Sequence, residues 1–184
     1  MELFEAIHKR HSVSKVKADA LPHELITKLL DAGNQAPNHH KVRPWRFAVL
    51  TGEALKKLGD AMADSQHERF PEITPEGLNK THALPLRAPV IIAVGVEKPI
   101  EPKILELENY AAASAACQNI LLAAHALGLG AVWRTGEWSR DEKVKTFLGL
   151  DADQHIAGLI YIGYPEAQSE PAPRPSYEDK TVWM

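Results

Sequence analysis

Three clusters in this 184-residue chain gather residue types suited to holding a charged, planar ligand. The first is Arg10-His11-Ser12. A guanidinium presents a planar fork of donors that matches a phosphate, and a serine hydroxyl adds one more. No acid lies between Glu5 and Asp19, whereas Lys9, Arg10, Lys15 and Lys17 are all basic. The second cluster is Ala36-Pro37-Asn38-His39-His40-Lys41-Val42-Arg43-Pro44-Trp45, within a stretch from Gly33 to Gly52 that contains no acid. The third is Gly128-Leu129-Gly130-Ala131-Val132-Trp133-Arg134-Thr135-Gly136, whose glycines permit close backbone approach to a ligand. Each cluster also has a plainer reading: a solvated helix end, a basic loop anchored by Trp45, and a helix cap leading into a tight strand end.

Other chemistries find little support. There is no Walker loop and no G-x-S-x-G elbow. Gly128-Leu129-Gly130 begins like a dinucleotide fingerprint, but Trp133 occupies the third glycine position and the motif follows a helix instead of preceding one. His39 and His40 are adjacent in a loop, and no H-E-x-x-H spacing occurs, so no metal site is expected. One cysteine, Cys117, excludes an internal disulfide and points to a reducing, cytoplasmic setting. The first residues, Met1-Glu2-Leu3-Phe4-Glu5, lack the basic and apolar regions of a signal peptide. The net charge of −3 argues against nucleic acid as a partner, although Lys41, Arg43, Arg46 and Trp45 would be its contacts.

Asn109 to Leu127 runs 19 residues without Lys, Arg, Asp or Glu, close to a membrane-spanning length. It is rich in alanine, and it carries Asn109, Ser114, Gln118, Asn119 and His125. Alanine favours helix but drives little insertion, so a buried helix of a soluble protein is expected and no membrane contact. Cys117 and His125 within it read as packing residues.

The elements that would position these clusters follow from periodicity and punctuation. Leu3 to about Lys9 reads as a short helix. A second starts at Pro22, carries Leu25, Ile26, Leu29 and Leu30 on one stripe, and fades near Gly33 to Ala36. Trp45 to Leu50 reads as a strand and Glu53 to Ala63 as a third helix. The span from Ser65 to Pro85 is polar and mixed, with room for a helix after Pro75. The apolar run Ala88 to Val96 fits a strand covered on both faces. The long helix begins near Pro102 and ends at Gly128 or Gly130. Ala131 to Trp133 is a short strand. Ser139-Arg140-Asp141-Glu142 has the capping-box pattern and opens a helix closed by Gly149. Ile156 to Ile162 is a last strand. Prolines at 165, 171, 173 and 175 keep the tail out of helix and central strand. Tyr177, Val182 and Trp183 nevertheless ask for a partner surface. The expectation is one α+β domain over residues 1–184, with five helices, four or five strands and residues 164–184 as an extended C-terminal arm.

Cations, aromatic surface and backbone donors together suit a phosphorylated, electron-rich ring system, and flavin mononucleotide (FMN) is one. At this level the chain resembles the FMN-dependent nitroreductase superfamily, in its compact bacterial branch. The likeness rests on Arg10-His11-Ser12 after a short helix, Ala36-Pro37 through Pro44-Trp45-Arg46-Phe47, and the late Gly-Leu-Gly-Ala-Val-Trp-Arg-Thr-Gly. It implies a central, mostly antiparallel sheet flanked by helices, and a homodimer with two FMN sites lined by both chains. It implies a hydride passed from NADH or NADPH through the flavin to a nitroaromatic, quinone or similar acceptor, with no indispensable catalytic side chain. By the same resemblance, Arg10, His11 and Ser12 bind the flavin, Arg10 at its phosphate, and Gln35 and His39 reach it from the partner chain. Trp133, Arg134 and Thr135 pass the ring near N5, and Arg174 helps hold the phosphate. Many members carry a lysine where this chain has Ser14, and Asn and Gln where it has Lys41 and Arg43. Lys41 is therefore a candidate for the cation near the flavin O2.

Overall fold

The computed structural model describes residues 1–184. Helix α1 covers Leu3–Lys9 and α2 covers His23–Asn34. Strand β1 (Trp45–Thr51) is followed by α3 (Glu53–Arg69) and α4 (Pro75–His82). Then come β2 (Val90–Val96), α5 (Glu106–Ala126), β3 (Gly130–Arg134), α6 (Glu142–Phe147) and β4 (His155–Gly163). The four strands form one fully antiparallel sheet in the order β1-β2-β4-β3.

The apolar run of β2 is continuous because both faces of the sheet are covered. Val90, Ile92, Val94 and Val96 pack towards α2 and α5, whereas Ile91 and Ala93 pack towards α3 and α6. The register between β2 and β4 shifts at Val94/Gly95, leaving Ala157 as an extra residue in β4. A bulge of this kind reverses the alternation of a strand. Ala157 joins Ile160 and Ile162 on the α5 side, and Ile156 joins Leu159 and Tyr161 on the other.

Helix α5 is buried through small residues. Ala112, Ala113, Ala116, Cys117, Ile120 and Ala124 enter the core. Gly33 lets α2 approach closely, since a Cβ there would meet Ile120 at 3.0 Å. Two amide side chains of this helix find backbone partners. Asn119 donates to the Ala32 carbonyl and Asn109 to the Glu97 carbonyl, each at 3.1 Å. The helix ends at Gly128 (φ 75°): the Gly128 N–H bonds the His125 carbonyl and the Leu129 N–H bonds the Ala124 carbonyl. That pair is a Schellman cap, which needs a left-handed residue there.

Several boundaries differ from the sequence reading. Pro22 sits at the N-cap of α2, one residue before the helix. Helix α3 continues six residues past Ala63, to Arg69. Its polar last turns are held by tertiary partners: the Ser65 hydroxyl donates to Asp141, and Arg69 pairs with Glu137 at 3.2 Å. The mixed segment contains a sixth helix, α4, whose Thr74 side chain accepts the Gly77 N–H at 3.2 Å. Helix α5 starts at Glu106, four residues after Pro102. Helix α6 is capped by Asp141, whose Oδ1 accepts the Val144 N–H, and not by Ser139, whose hydroxyl donates to the Gly136 carbonyl. No helix is long and apolar enough to cross a membrane.

Candidate functional site

The segment from Arg10 to Lys17 lies between strand β3 and the C-terminal arm. On one side the Val13 N–H bonds the Ala131 carbonyl at 2.9 Å. On the other, the Lys17 N–H bonds the Tyr164 carbonyl at 2.7 Å and the Glu166 N–H bonds the Lys15 carbonyl at 3.2 Å. Gly130 makes this packing possible, since a Cβ there would stand 2.8 Å from Val13. Gly128 and Gly130 therefore serve a helix cap and a close chain crossing, the plainer of the two readings of that motif. His11 ties the arm down further on. Its Nδ1 donates to the Lys9 carbonyl at 3.0 Å, and its Nε2 lies 2.7 Å from the Ser169 hydroxyl.

Arg10 closes α1 and is half-buried. With Arg174 it lines a cavity of about 660 Å³, together with His8, Gln118 and three prolines of the arm, and no acid lines it. Burial and the facing charge of Arg174 push the Arg10 guanidinium below the usual arginine value. It stays protonated at any ordinary pH, so the cavity holds two uncompensated positive charges. Nearby, the Nε2 of His125 is buried without a partner. Burial first, then the charges of His11 and Arg10, push this imidazole down. Ser12, between the cavity and β3 along the chain, is exposed.

A second, smaller cavity of about 340 Å³ opens at the far end of the same segment, lined by Ser14, Lys15, Val16, Arg87, Arg134 and Glu166. The Arg134 guanidinium lies 5.2 Å over the Tyr161 ring, and its Nε is buried with no hydrogen-bond partner. Burial raises the Tyr161 phenol, and the charges of Arg134 and Arg87 oppose that rise. Trp133 points to the other face of the sheet. Its indole N–H donates to the Ala157 carbonyl at the bulge, 3.0 Å away. A Cβ on Gly158 would come within 1.9 Å of that nitrogen. Thr135 is exposed and precedes Gly136 (φ 90°).

Gln35 and His39 lie elsewhere in the protomer. Gln35 caps α2, is exposed, and donates to Asp31 at 3.4 Å. His39 meets Glu108, near the start of α5, at 2.9 Å and stacks on His40 with centroids 3.9 Å apart. The His39 hydrogen bond is the main cause holding the Glu108 carboxyl below its usual range. Three non-glycine residues of this loop are left-handed: His40 (φ 53°), Lys41 (φ 56°) and Arg43 (φ 50°). Such backbone costs of order 1–3 kcal/mol per residue and clusters at ligand-binding sites. Asn38 holds it in place, accepting the Arg43 N–H at 2.8 Å and donating to the Ala36 carbonyl at 3.3 Å. Trp45 is buried and donates to Asn34 at 3.2 Å, so it anchors the loop.

The candidate residues thus form two groups. Arg10, His11, Ser12, Trp133, Arg134, Thr135 and Arg174 surround the Arg10–Lys17 segment. His39 stands at the start of α5 beside Glu108, whereas Gln35 follows Gly33, which packs on Ile120 in the second half of that helix. Glu108, beside His39, and His125, near Arg10, stand about 25 Å apart at 1.5 Å rise per residue. Sequence reasoning missed Arg87. It lies outside every motif, and the only signal was a basic residue just before the apolar run of β2.

The chain matches the model of the nitroreductase family over residues 7–164 and belongs to that family. It is 29% identical over 183 residues to YfhC of Bacillus subtilis, provisionally named an NAD(P)H nitroreductase, covering 99% of this chain and 94% of that one. The crystal structure of a nitroreductase-like family protein from Bacillus cereus superposes with a TM-score of 0.85 at 30% identity, covering 100% of this chain and 96% of the other. A provisionally named nitroreductase from Desulfovibrio desulfuricans, solved in complex with FMN, gives a TM-score of 0.76 at 29% identity, covering 100% and 97%.

Proposed function

We propose that this chain is an FMN-dependent oxidoreductase that passes a hydride from NAD(P)H through the flavin to a nitroaromatic, quinone or related acceptor. The observation that carries the reading is the Arg10–Arg174 cavity, where two guanidiniums face each other and no acid lines the wall. A phosphate monoester supplies the missing charge and accepts charge-assisted hydrogen bonds from both. Ser12 follows with a hydroxyl, and the orphaned His125 Nε2 nearby adds a polar group without a protein partner. The residues present fit FMN, with Arg10, Ser12 and Arg174 at its phosphate and Trp133, Arg134 and Thr135 beside its ring.

When bound, the flavin supplies the two-electron redox chemistry. The chain's part is to bind, orient and exclude water. Trp133 is fixed by its bond to the bulge and gives the β3 edge a rigid apolar wall. On this reading no side chain is needed as an obligatory acid or base. One site would serve the nicotinamide and the acceptor in turn, so turnover should be ping-pong. Parallel initial-rate lines at several acceptor concentrations are expected, and intersecting lines would contradict a shared site. A flavin-binding redox module without turnover is the second reading, and absence of NAD(P)H oxidation with excess acceptor would favour it.

The active form we propose is a homodimer with Gln35 and His39 completing the partner's site. Within one protomer His39 lies at the far end of α5 from Arg10, about 25 Å along the helix, out of reach of a phosphate held by Arg10. Apolar surface supports the same view: Phe4 is 74% exposed, Leu107 78% and Trp183 88%. Large apolar side chains left this exposed are what a partner subunit would cover. The purified protein should be yellow and release FMN on denaturation. Removing Ser176 to Met184 should weaken dimer and FMN binding together, as read by sedimentation with and without FMN. A truncated monomer holding FMN at full affinity would overturn the shared site. The buried single thiol fits a cytoplasmic setting.

A further inference from the structure

The loop between α2 and β1 carries charge that the phosphate cavity does not use. The stretch around it, Gly33 to Gly52, has no acid, and its cations differ in how they are held. Arg46 donates to the Gly149 carbonyl at 3.1 Å, and His39 pairs with Glu108. Lys41 and Arg43 are exposed, and neither side chain makes an ion pair or a hydrogen bond. Arg43 lines a groove of about 620 Å³ with Asp31 and Glu97 and bonds to neither; Lys41 does not line that groove. Both residues sit on left-handed backbone, φ 56° and 50°, which a non-glycine residue adopts at a cost. Asn38 and the Trp45–Asn34 bond fix this shape, so less freedom is lost when a ligand meets the loop. Exposed cations without a counter-charge suit a ligand group that stays in solvent at the rim of a site.

We infer that Lys41, with Arg43 beside it, recognises the 2′-phosphate of NADPH and makes NADPH the preferred hydride donor. The inference rests on the FMN and homodimer reading above, in which this loop, with His39, borders the partner's flavin site. The nicotinamide has to lie against the flavin for its hydride, one proton with two electrons, to move. The adenosine half of the donor then extends outwards, towards the rim. NADPH and NADH are alike in the transfer itself: each loses the hydride and leaves as the oxidised dinucleotide. They differ only at the adenosine ribose, where NADPH carries a phosphate monoester of roughly −1.5 to −2 charge at pH 7 and NADH a hydroxyl. A cation tells the two apart by that charge, as an arginine does in dinucleotide-binding sheets. With a net charge of −3 the chain has no general attraction for phosphates, so the preference has to come from local cations.

The test uses the FMN-loaded dimer and reads the ratio of kcat/KM for NADPH to that for NADH. The ratio should favour NADPH about tenfold, the worth of one charge-assisted contact. It should shrink as ionic strength rises from about 10 mM to about 1 M, where the screening length falls from about 30 Å to about 3 Å. Lys41→Ala should abolish most of the preference through the KM for NADPH, Arg43→Ala a smaller part, and Lys41→Arg should keep it. Arg46→Ala removes the same charge from a residue held by Gly149 and should leave the ratio as it was. Without turnover, adenosine 2′,5′-bisphosphate should bind more tightly than 5′-AMP in calorimetry, and Lys41→Ala should erase the difference. A wild-type ratio near one, or a ratio unchanged in Lys41→Ala, would overturn the inference while FMN binding stands. Equal slowing with both nucleotides would put Lys41 at the flavin instead. A loss confined to a nitrobenzoate acceptor, and not seen with nitrobenzene, would put it at the acceptor; either result overturns the inference. A purified protein that takes up no FMN would overturn the parent reading and this one with it.

Discussion

Two cavities in this molecule carry charged side chains, and they are built on opposite principles. Between α3 and α6 lies a wholly polar cleft of about 480 Å³ with Arg69, Arg140 and Lys143 set against Glu68, Glu137, Asp141 and Glu142. Its charges neutralise one another: Arg69 pairs with Glu137, Lys143 with Glu68 at 2.5 Å, and Asp141 accepts from Ser65 and caps α6. Across the sheet, the Arg10–Arg174 cavity has cations and no counter-charge. The first arrangement stabilises the fold and leaves nothing over for a ligand. The second leaves charge unmet in the folded chain. Charge without a counter-charge is what the proposed site offers a phosphate.

The sharpest way to break this contrast is to remove one cation from the open cavity. Arg10→Ala should lower FMN affinity ten- to a hundredfold, about 1.5–3 kcal/mol, by losing a charge-assisted contact. The melting temperature of the FMN-free protein should hardly change. Flavin fluorescence titration measures the first and calorimetry the second; unaltered affinity would refute the phosphate role.

The paired side should respond in the opposite sense. In α3, a Cβ on Gly59 would lie 2.2 Å from the His82 carbonyl oxygen of α4, a backbone atom that cannot swing aside. Gly59→Ala should cost about 2 kcal/mol of stability, within the usual range for overpacking. The affinity of the remaining folded protein for FMN should stay as it was. Asp141→Ala removes a helix cap and the partner of buried Ser65 together, for about 1.5 kcal/mol in urea unfolding. If either variant impaired FMN binding while leaving stability intact, the division between the two regions would fall.

The smallest effect concerns His125. Its folded pKa is depressed below the ordinary 6.5, by burial and by neighbouring positive charge. The folded chain therefore binds this proton less readily than the unfolded chain does. The stability contribution is full above the unfolded value and declines as pH falls through 6.5 towards the folded one. Stability of the FMN-free protein, followed from about pH 7 to pH 5, should fall, and His125→Gln should flatten that slope. An identical slope in the variant would assign the pH dependence to other groups.

The core was legible where a pattern has one physical solution. Residues 90–96 are apolar at every position but Gly95, and only a strand covered on both faces uses such a run. Helix α4 and the last turns of α3 were less legible because Ser65, Gln66, Arg69 and Thr81 are polar. Their helical state depends on Asp141, Glu137 and one another, partners 15 to 76 residues away. The capping box misled for a local reason. Ser139 and Asp141 both precede a helical stretch, and the carboxylate stands two residues nearer its first turns. In the site, Arg10-His11-Ser12 was readable as a contiguous motif. Arg87 was not, since its meaning arises only when β2 and β3 bring it beside Arg134.

The pairing of Arg10 with Arg174 also sets an order on assembly. The two residues are separated by 164 positions, and the arm that carries Arg174 closes over a segment made near the very beginning of synthesis. At typical elongation rates, roughly 10–30 s pass between the appearance of the two. During that interval the nascent chain can complete its sheet and both helical layers without ever presenting the cavity. A chain arrested at residue 168 should fold and remain colourless when offered FMN. On the proposed function, FMN capture then waits for the arm, and a ribosome-bound or prematurely stopped chain would sequester no flavin.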